Sequence, residues 1–227
     1  MERIRVTDIE SAYGKKKVLT GVSIVANPGE CIGVVGANGC GKSTLLNILA
    51  GLRKQDKGEI FFDEKPVTGR RQFIRYTGYV PQESNLIEEV TVWDNLLLAY
   101  GDSKVLNEKL ENGFLRFLGL REMCDLKASK LSGGMKKRAS IGCAMASNPP
   151  ILLLDEPGAA LDLPGKGEVR RYLELYKSKG GTIIIATHEE SELDLCDKIY
   201  ALTEGKSREI DRTLRGDALV EIIKGKK

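Results

Sequence analysis

The sequence lacks most features of membrane-spanning, secreted or zinc-binding chains. No apolar run approaches the ~18 residues that a membrane span needs. The start, residues 1–5, does not have the character of a signal peptide. The five cysteines are odd in number and show no C-x-x-C spacing, which disfavours both a disulfide framework and a zinc site. We therefore expect a protein of a reducing compartment, and any attachment to a membrane has to come from a partner.

An excess of charge of one sign is also missing. The 35 Lys and Arg residues nearly balance the 32 Asp and Glu residues, for a net charge of +3, so charge gives no reason to expect nucleic acid as a partner. With 227 residues, of which 41% are hydrophobic and 30% charged, the chain is long enough to bury a sizeable core. The single histidine and several of the 25 glycines lie in the segments with candidate functional motifs.

The most informative segment is residues 36–44, G-A-N-G-C-G-K-S-T, which fits the phosphate-loop pattern G-x-x-x-x-G-K-[ST]. An apolar run precedes it and another follows it, as expected for a strand, a glycine loop and a helix. The loop N–H groups and the positive end of the helix dipole form a cradle for phosphate. Lys42 would reach the β- and γ-phosphates, and the Ser43 hydroxyl would bind Mg²⁺.

The rest of the chain predicts an α/β fold. Residues 2–35, 58–62 and 77–80 have the patterns of strands, and residues 84–150 have a helical pattern. Within the helical part, one apolar helix face is predicted to form core: Leu106, Leu110, Phe114, Phe117 and Leu118.

Two apolar strands, residues 151–155 and 182–187, do not alternate with polar residues, which is typical of a parallel sheet covered on both faces. An amphipathic crossover helix is predicted between them, with Val169, Tyr172, Leu173 and Tyr176 on its apolar face. The prediction is a mostly parallel sheet with an N-terminal antiparallel β-part and an inserted helical segment.

Polar residues follow several predicted strands. Asp155 would hold Mg²⁺ through water, and Glu156 would act as general base on water. His188, at another strand end, can donate to a phosphate oxygen. Gln82 is a further strand-end group that could contact Mg²⁺ or the attacking water, and Tyr13 could stack on adenine.

A second anion cradle is predicted far along the chain. Ser132 is an expected N-cap, and Gly133 and Gly134 leave backbone N–H groups exposed at the start of a helix.

Taken in order, these segments resemble the seven motifs of ATP-binding cassette (ABC) ATPase subunits. They are similar to the A-loop, Walker A, Q-loop, signature, Walker B, D-loop and H-loop, and they lie at Tyr13, residues 36–44, Gln82, residues 131–135, residues 151–157, residues 160–162 and His188. The resemblance covers residues 2–205. It implies one P-loop ATPase domain over residues 1–227, with a core of 1–83 and 151–227 and a helical subdomain of 84–150.

The resemblance also implies a set of site residues with ATP and Mg²⁺ as ligands. Those implied to bind ATP are Tyr13, Gly36, Asn38, Gly39, Cys40, Gly41, Lys42, Ser43, Thr44, Ser132, Gly133, Gly134 and Asp162. Those implied in catalysis are Lys42, Gln82, Glu156 and His188, and those implied at the metal are Ser43, Gln82 and Asp155.

In this family two subunits pack head to tail, and the resemblance implies the same here. The Ser132 region of one copy would close on the γ-phosphate held by Lys42 of a second copy or of a homologous subunit, with Asp162 crossing the interface. Gln82 and the helical subdomain would transmit the closing movement of the two copies to a separate membrane permease. The protein would then lie in the cytoplasm, peripherally on the inner face of the cell membrane.

Two departures from the family pattern stand out. The signature ends in Met135 where Gln is usual, and residues 157–162 read P-G-A-A-L-D. The stretch 131–138 resembles the signature of type-2 ABC exporters, which makes an exporter subunit the first interpretation. A cassette ATPase that serves a non-membrane partner, such as an iron–sulfur assembly scaffold, is the alternative. A nucleotide-gated scaffold without hydrolysis is a third, which Glu156 and His188 disfavour.

Overall fold

A single ten-stranded sheet organises the protein, in the strand order β5-β4-β1-β2-β10-β9-β3-β8-β7-β6. The computed structural model describes residues 1–159 and 161–224, so Ala160 and residues 225–227 lie outside the described part. The strands are β1 (Ile4–Tyr13), β2 (Lys16–Ala26), β3 (Cys31–Val35), β4 (Lys57–Phe62), β5 (Lys65–Pro66), β6 (Thr77–Val80), β7 (Ile151–Asp155), β8 (Thr182–Ala186), β9 (Lys198–Thr203) and β10 (Lys206–Ile210).

The sheet has a parallel part and an antiparallel part, as the sequence predicts. Strands β9, β3, β8, β7 and β6 pair in parallel, whereas β5, β4, β1 and β2 pair antiparallel. Every residue of β3, β7 and β8 is buried, because helices cover both faces of a parallel sheet. The predicted mostly parallel α/β fold is confirmed.

Helices connect many of the strands along the chain and pack on the sheet. They are α1 (Lys42–Leu49), α2 (Arg70–Tyr76), α3 (Val92–Tyr100), α4 (Ser103–Asn112), α5 (Phe114–Phe117), α6 (Gly133–Ala144), α7 (Leu163–Ser178), α8 (Glu190–Leu193) and α9 (Gly216–Ile223). The crossover helix is α7, and its predicted apolar face is buried. No helix in the described part is both long and apolar enough to span a bilayer.

The prediction of one continuous apolar face over residues 106–118 was wrong at Phe117. Gly113 has an extended backbone (φ −104°, ψ −167°), which ends α4 and starts the short α5 in a new direction. Leu106, Leu110 and Leu118 are buried as predicted, but Phe117 is 64% exposed. Leu118 keeps its place in the core beyond the glycine, but Phe117 does not, because side chains after the break no longer follow the face of the first helix.

Several elements had no clear sequence signal. Helix α2 is short and rich in arginine, with no buried residue. The charged end of the chain contains β10, which pairs antiparallel with β9, and then α9. Strand β10 lies between β2 and β9, and its five residues are exposed or half-buried, so it lacks the apolar run of the other parallel-part strands.

Parallel pairing brings the ends of four strands to one edge of the sheet. Val34 pairs with Ala186, Ile185 with Leu154, and Leu154 with Val80. The segments that follow β3, β6, β7 and β8 therefore start side by side. These are the segments that carry the phosphate loop, Gln82, Glu156 and His188.

We expect Gly78→Ala to destabilise the fold, because β6 and α6 pack without room for a side chain there. An added Cβ would lie 2.5 Å from the Ala144 carbonyl oxygen and 2.9 Å from Pro149 Cγ. The loss should be ~1–3 kcal/mol in the free energy of unfolding, measured by urea denaturation. The control is Gly167→Ala in α7, where no atom lies within 4 Å of the new methyl group and the helix should gain up to ~1 kcal/mol. An unchanged urea midpoint for Gly78→Ala would contradict this close packing.

Candidate functional site

The phosphate loop between β3 and α1 has a backbone that requires glycine at three positions. Gly39 and Gly41 have φ values of 77° and 113°, in the left-handed region that side chains disfavour. Gly36 has a different reason: a Cβ there would lie 2.5 Å from Cys40 Sγ and 2.6 Å from the Leu202 carbonyl oxygen. The loop is thus curled tightly over the start of α1.

Lys42 begins α1 and turns its side chain back under the loop. The side chain is buried, and Nζ donates hydrogen bonds to the carbonyl oxygens of Gly36 at 2.9 Å and Ala37 at 3.3 Å. The ammonium group therefore lies within the loop, at the positive end of the helix dipole. Burial raises the pKa of the neighbouring Cys40 thiol, which keeps it protonated at neutral pH.

Asp155 ends β7 beside the loop. Its side chain is buried, and burial raises the pKa of the carboxyl group, while a hydrogen bond with the Ser43 hydroxyl opposes that rise. A hydroxyl and a carboxylate near each other are oxygen ligands that Mg²⁺ takes when phosphate oxygens and water complete its shell. The residues present therefore fit a magnesium ion.

Glu156 follows β7 and contacts side chains that follow the two neighbouring strands, β6 and β8. Its Oε2 accepts a hydrogen bond from Gln82 Nε2 at 2.9 Å, and its Oε1 lies 3.2 Å from His188 Nδ1. Its own backbone has a φ of 46°, which is unusual for a residue other than glycine, and its N–H donates to Ala186 O at 2.8 Å. Backbone strain of this kind costs ~1–3 kcal/mol and clusters at functional sites.

Part of the phosphate loop, the start of α1 and the side chains of Gln82, Glu156 and His188 surround a cavity of about 500 Å³. Tyr13 lies at the cavity with half of its surface exposed, and the Arg53 guanidinium carbon stacks 3.8 Å from its ring centroid. The lining residues are Tyr13, Val18, Asn38, Gly39, Gly41, Lys42, Ser43, Thr44, Gln82, Glu156 and His188. The structure thus brings together residues that are up to 175 positions apart.

Gly36, Cys40 and Asp155 belong to the loop or lie beside it but do not line the cavity, whereas the other predicted site residues lie on a second surface. Ser132 caps α6, with its Oγ accepting from Met135 N at 3.3 Å, and Asp162 caps α7, with Oδ1 accepting from Gly165 N at 3.0 Å. The two helix starts lie against each other, since a Cβ on Gly134 would be 3.9 Å from Gly165 Cα. Of the described residues that line the cavity, none belongs to this second surface, whose predicted members are Ser132, Gly133, Gly134 and Asp162.

Lys137 is a buried residue near the site that the sequence did not single out. It lies in α6, is 6% exposed, and its Nζ donates to the carbonyl oxygens of Pro81 and Gln82 at 3.1 Å each. Lysine is seldom buried without a polar partner, but such burial cannot be read from the sequence of a charged helix. Its only sequence signal is its place one turn after the glycine pair.

The sequence profile described as "ABC transporter" matches residues 19–159. The chain is 38% identical over 205 residues to "Nod factor export ATP-binding protein I" of Burkholderia lata, across 88% of this chain and 67% of that protein.

Solved structures agree with that match. A dimeric bacterial ABC transporter cassette has a TM-score of 0.82 and 28% identity, over 94% of this chain and 99% of that one. A cassette in a post-hydrolysis state with ADP and phosphate has a TM-score of 0.80 and 28% identity over the same shares. Together with the P-loop cavity, these similarities lead to one conclusion: this chain belongs to the ABC transporter family, as an ATP-binding subunit that hydrolyses ATP.

Proposed function

We propose that this protein binds ATP and Mg²⁺ in the P-loop cavity, hydrolyses ATP with Glu156 as general base, and drives export through a separate membrane permease. The observation that carries this proposal is the Glu156 carboxylate, held between Gln82 and His188 at the cavity that the phosphate loop lines. A carboxylate in that position can take a proton from a water molecule that attacks the γ-phosphate.

The proposed ATP contacts follow from the lining of the cavity. The N–H groups of the loop and of the first turn of α1 would bind phosphate oxygens, and Lys42 would add its charge to the β- and γ-phosphates. Tyr13, whose ring lies at the same cavity, would pack against adenine. The phosphate contacts would also depend on the remaining residues of the loop and of the start of α1, which are Gly36, Asn38, Gly39, Cys40, Gly41 and Thr44.

We assign Mg²⁺ to Ser43 and Asp155, with Gln82 as a further oxygen ligand. The support is that the Ser43 hydroxyl lies near the buried Asp155 carboxylate. When bound there, the ion would neutralise charge on the phosphate oxygens. Gln82 and His188 would orient Glu156, and His188 would donate a hydrogen bond to the γ-phosphate.

We further propose that a second copy, or a homologous subunit, completes each site head to tail. Ser132, Gly133, Gly134 and Asp162 form a cluster outside the cavity, so a partner chain is needed for them to reach its phosphate. A similar cassette has been solved as a dimer, which supports this arrangement. In this proposal the chain is one ABC ATPase domain, in which residues 84–150 form the helical subdomain.

Export is proposed from the name of the relative, an export ATP-binding protein, together with the resemblance of the signature stretch 131–138. The protein would then lie on the cytoplasmic face of the membrane, bound to its permease. The discriminating experiment is affinity purification from detergent-solubilised membranes. A polytopic membrane protein that co-purifies in stoichiometric amount supports the exporter, whereas a soluble scaffold would support the alternative function.

Lys42→Ala should weaken ATP binding and hydrolysis together, because the ammonium group contributes to ground state and transition state alike. We expect a loss of at least ~10-fold in ATP affinity, measured by fluorescent-nucleotide titration. Lys104→Ala on the exposed surface of α4 is the control and should bind ATP like the parent. Undiminished affinity in the Lys42 variant would mean that ATP does not bind at this loop.

Glu156→Gln should retain ATP binding and lose hydrolysis by ~10²–10⁴-fold, because the amide cannot accept the proton from water. With ATP and Mg²⁺ the variant should elute as a dimer from a sizing column. The reason is that ATP stays intact, so the contacts that hold the closed dimer together are not lost. Glu174→Gln, which removes an exposed carboxylate paired with Arg170, is the matched control. Turnover at the parental rate in the Glu156 variant would rule out the general-base role.

Met135→Gln restores the residue usual in the signature and should change the ATPase rate by less than ~10-fold, since one neutral hydrogen bond is worth ~1 kcal/mol. Steady-state kinetics on the purified protein measure this. A loss of more than ~100-fold would show that the Met135 side chain, which packs partly against the core, has a role of its own.

A further inference from the structure

The buried lysine of α6, Lys137, joins the helix to the turn that carries Gln82. Its Nζ donates two hydrogen bonds of 3.1 Å, to the carbonyl oxygens of Pro81 and Gln82, and its side chain is almost fully buried. Hydrogen bonds from an ammonium group are stronger than those between neutral groups, and both partners here belong to one turn. The Lys137 side chain therefore attaches the turn to α6.

The surroundings of Lys137 argue for a role beyond folding. Burial lowers the pKa of the ammonium group, and the nearby carboxylates of Asp155, Glu192 and Glu156 oppose this effect. A buried charge is expensive to desolvate, and an apolar side chain of similar volume often stabilises a protein as well or better. A buried charge near the Asp155 and Glu156 carboxylates is therefore better explained by the reaction than by stability.

A short series of contacts leads from Lys137 to the proposed base. Lys137 holds the Gln82 carbonyl, and the amide at the other end of Gln82 donates to Glu156 at 2.9 Å. One turn further along α6, the hydroxyl groups of Ser140 and Ser84 lie 3.4 Å apart, so the segment after Gln82 follows the same helix. Moving α6 would move the turn with it.

The other end of α6 belongs to the second surface. Ser132 caps the helix, and Lys137 lies ~7.5 Å further along its axis at a rise of about 1.5 Å per residue. A rigid helix of this length passes a displacement at its N-terminus directly to the lysine. Helix α6 thus connects the cluster proposed to bind a partner's ATP with the Gln82–Glu156 contact of its own chain.

We infer that Lys137 is a positioning residue for ATP hydrolysis, which holds the Gln82 turn so that the Gln82 amide meets Glu156 and makes that contact depend on the position of α6. This inference rests on the proposed function, in which Gln82 orients Glu156 as the base. It assigns Lys137 no contact with ATP.

The first test is Lys137→Met in the full chain, which keeps the length of the side chain and removes its donors. We expect kcat to fall ~10–100-fold, with KM for ATP and the affinity for ATP within about twofold of the parent. Lys137→Arg should recover much of the rate, because a guanidinium can donate to two carbonyl groups. The control is Lys104→Met, which removes a lysine on the exposed surface of α4 and should leave kcat unchanged.

A double-mutant cycle separates positioning from general damage. If Lys137 acts through Gln82, the variant with both Lys137→Met and Gln82→Ala should be no slower than the slower single variant. Additive losses in kcat would overturn the inference, as would a parental kcat in Lys137→Met or an equal loss in Lys104→Met. Thermal unfolding of each variant checks that the fold is retained, and a loss of ATP affinity that parallels the loss in kcat would also overturn it.

Failure of the inference differs from failure of the proposed function. A parental kcat for Gln82→Ala alone would contradict the role of Gln82 and so the proposed function. A slow Gln82→Ala combined with additive losses in the cycle would contradict only the positioning role of Lys137.

Discussion

The parallel pairing of β3, β8, β7 and β6 is the constraint on which the rest of the site depends. It aligns the ends of these strands within one residue pair of each other, so that the loops that follow them start at one edge. The Glu156 carboxylate can touch both Gln82 and His188 only because β7 lies between β6 and β8. A slip of one residue in this register would turn each strand's side chains to the opposite face and separate the three groups.

Sequence patterns predicted the parts of the structure that depend on backbone conformation and on interactions between residues close together in the chain. The glycines of residues 36–41 are needed for left-handed backbone and for close packing, and both needs leave a pattern that can be read without a fold. Buried parallel strands leave unbroken apolar runs, which is why β7 and β8 were predicted closely. The exposed Phe117 shows the limit, because a single glycine redirected the helix.

Contacts between segments far apart in the chain could not be predicted from the sequence. Lys137 binds carbonyl groups 55 and 56 positions earlier in the chain, and nothing in the pattern of α6 predicts that a lysine there is buried. Arg53 covers Tyr13 from 40 positions away, which the sequence also could not indicate. The assignment of the individual ATP and Mg²⁺ contacts remains a prediction, since it concerns molecules that the fold accommodates and the chain alone does not specify.

The left-handed backbone at Glu156 has a consequence for how this protein can evolve. Glutamate at a φ of 46° is held there by the paired strands and by its N–H contact with Ala186, and glycine would adopt the same torsion with less strain. Thermodynamic selection alone would therefore replace this residue. A carboxylate at this position lowers the stability of the fold, so a variant selected purely for heat resistance would tend to lose the proposed general base.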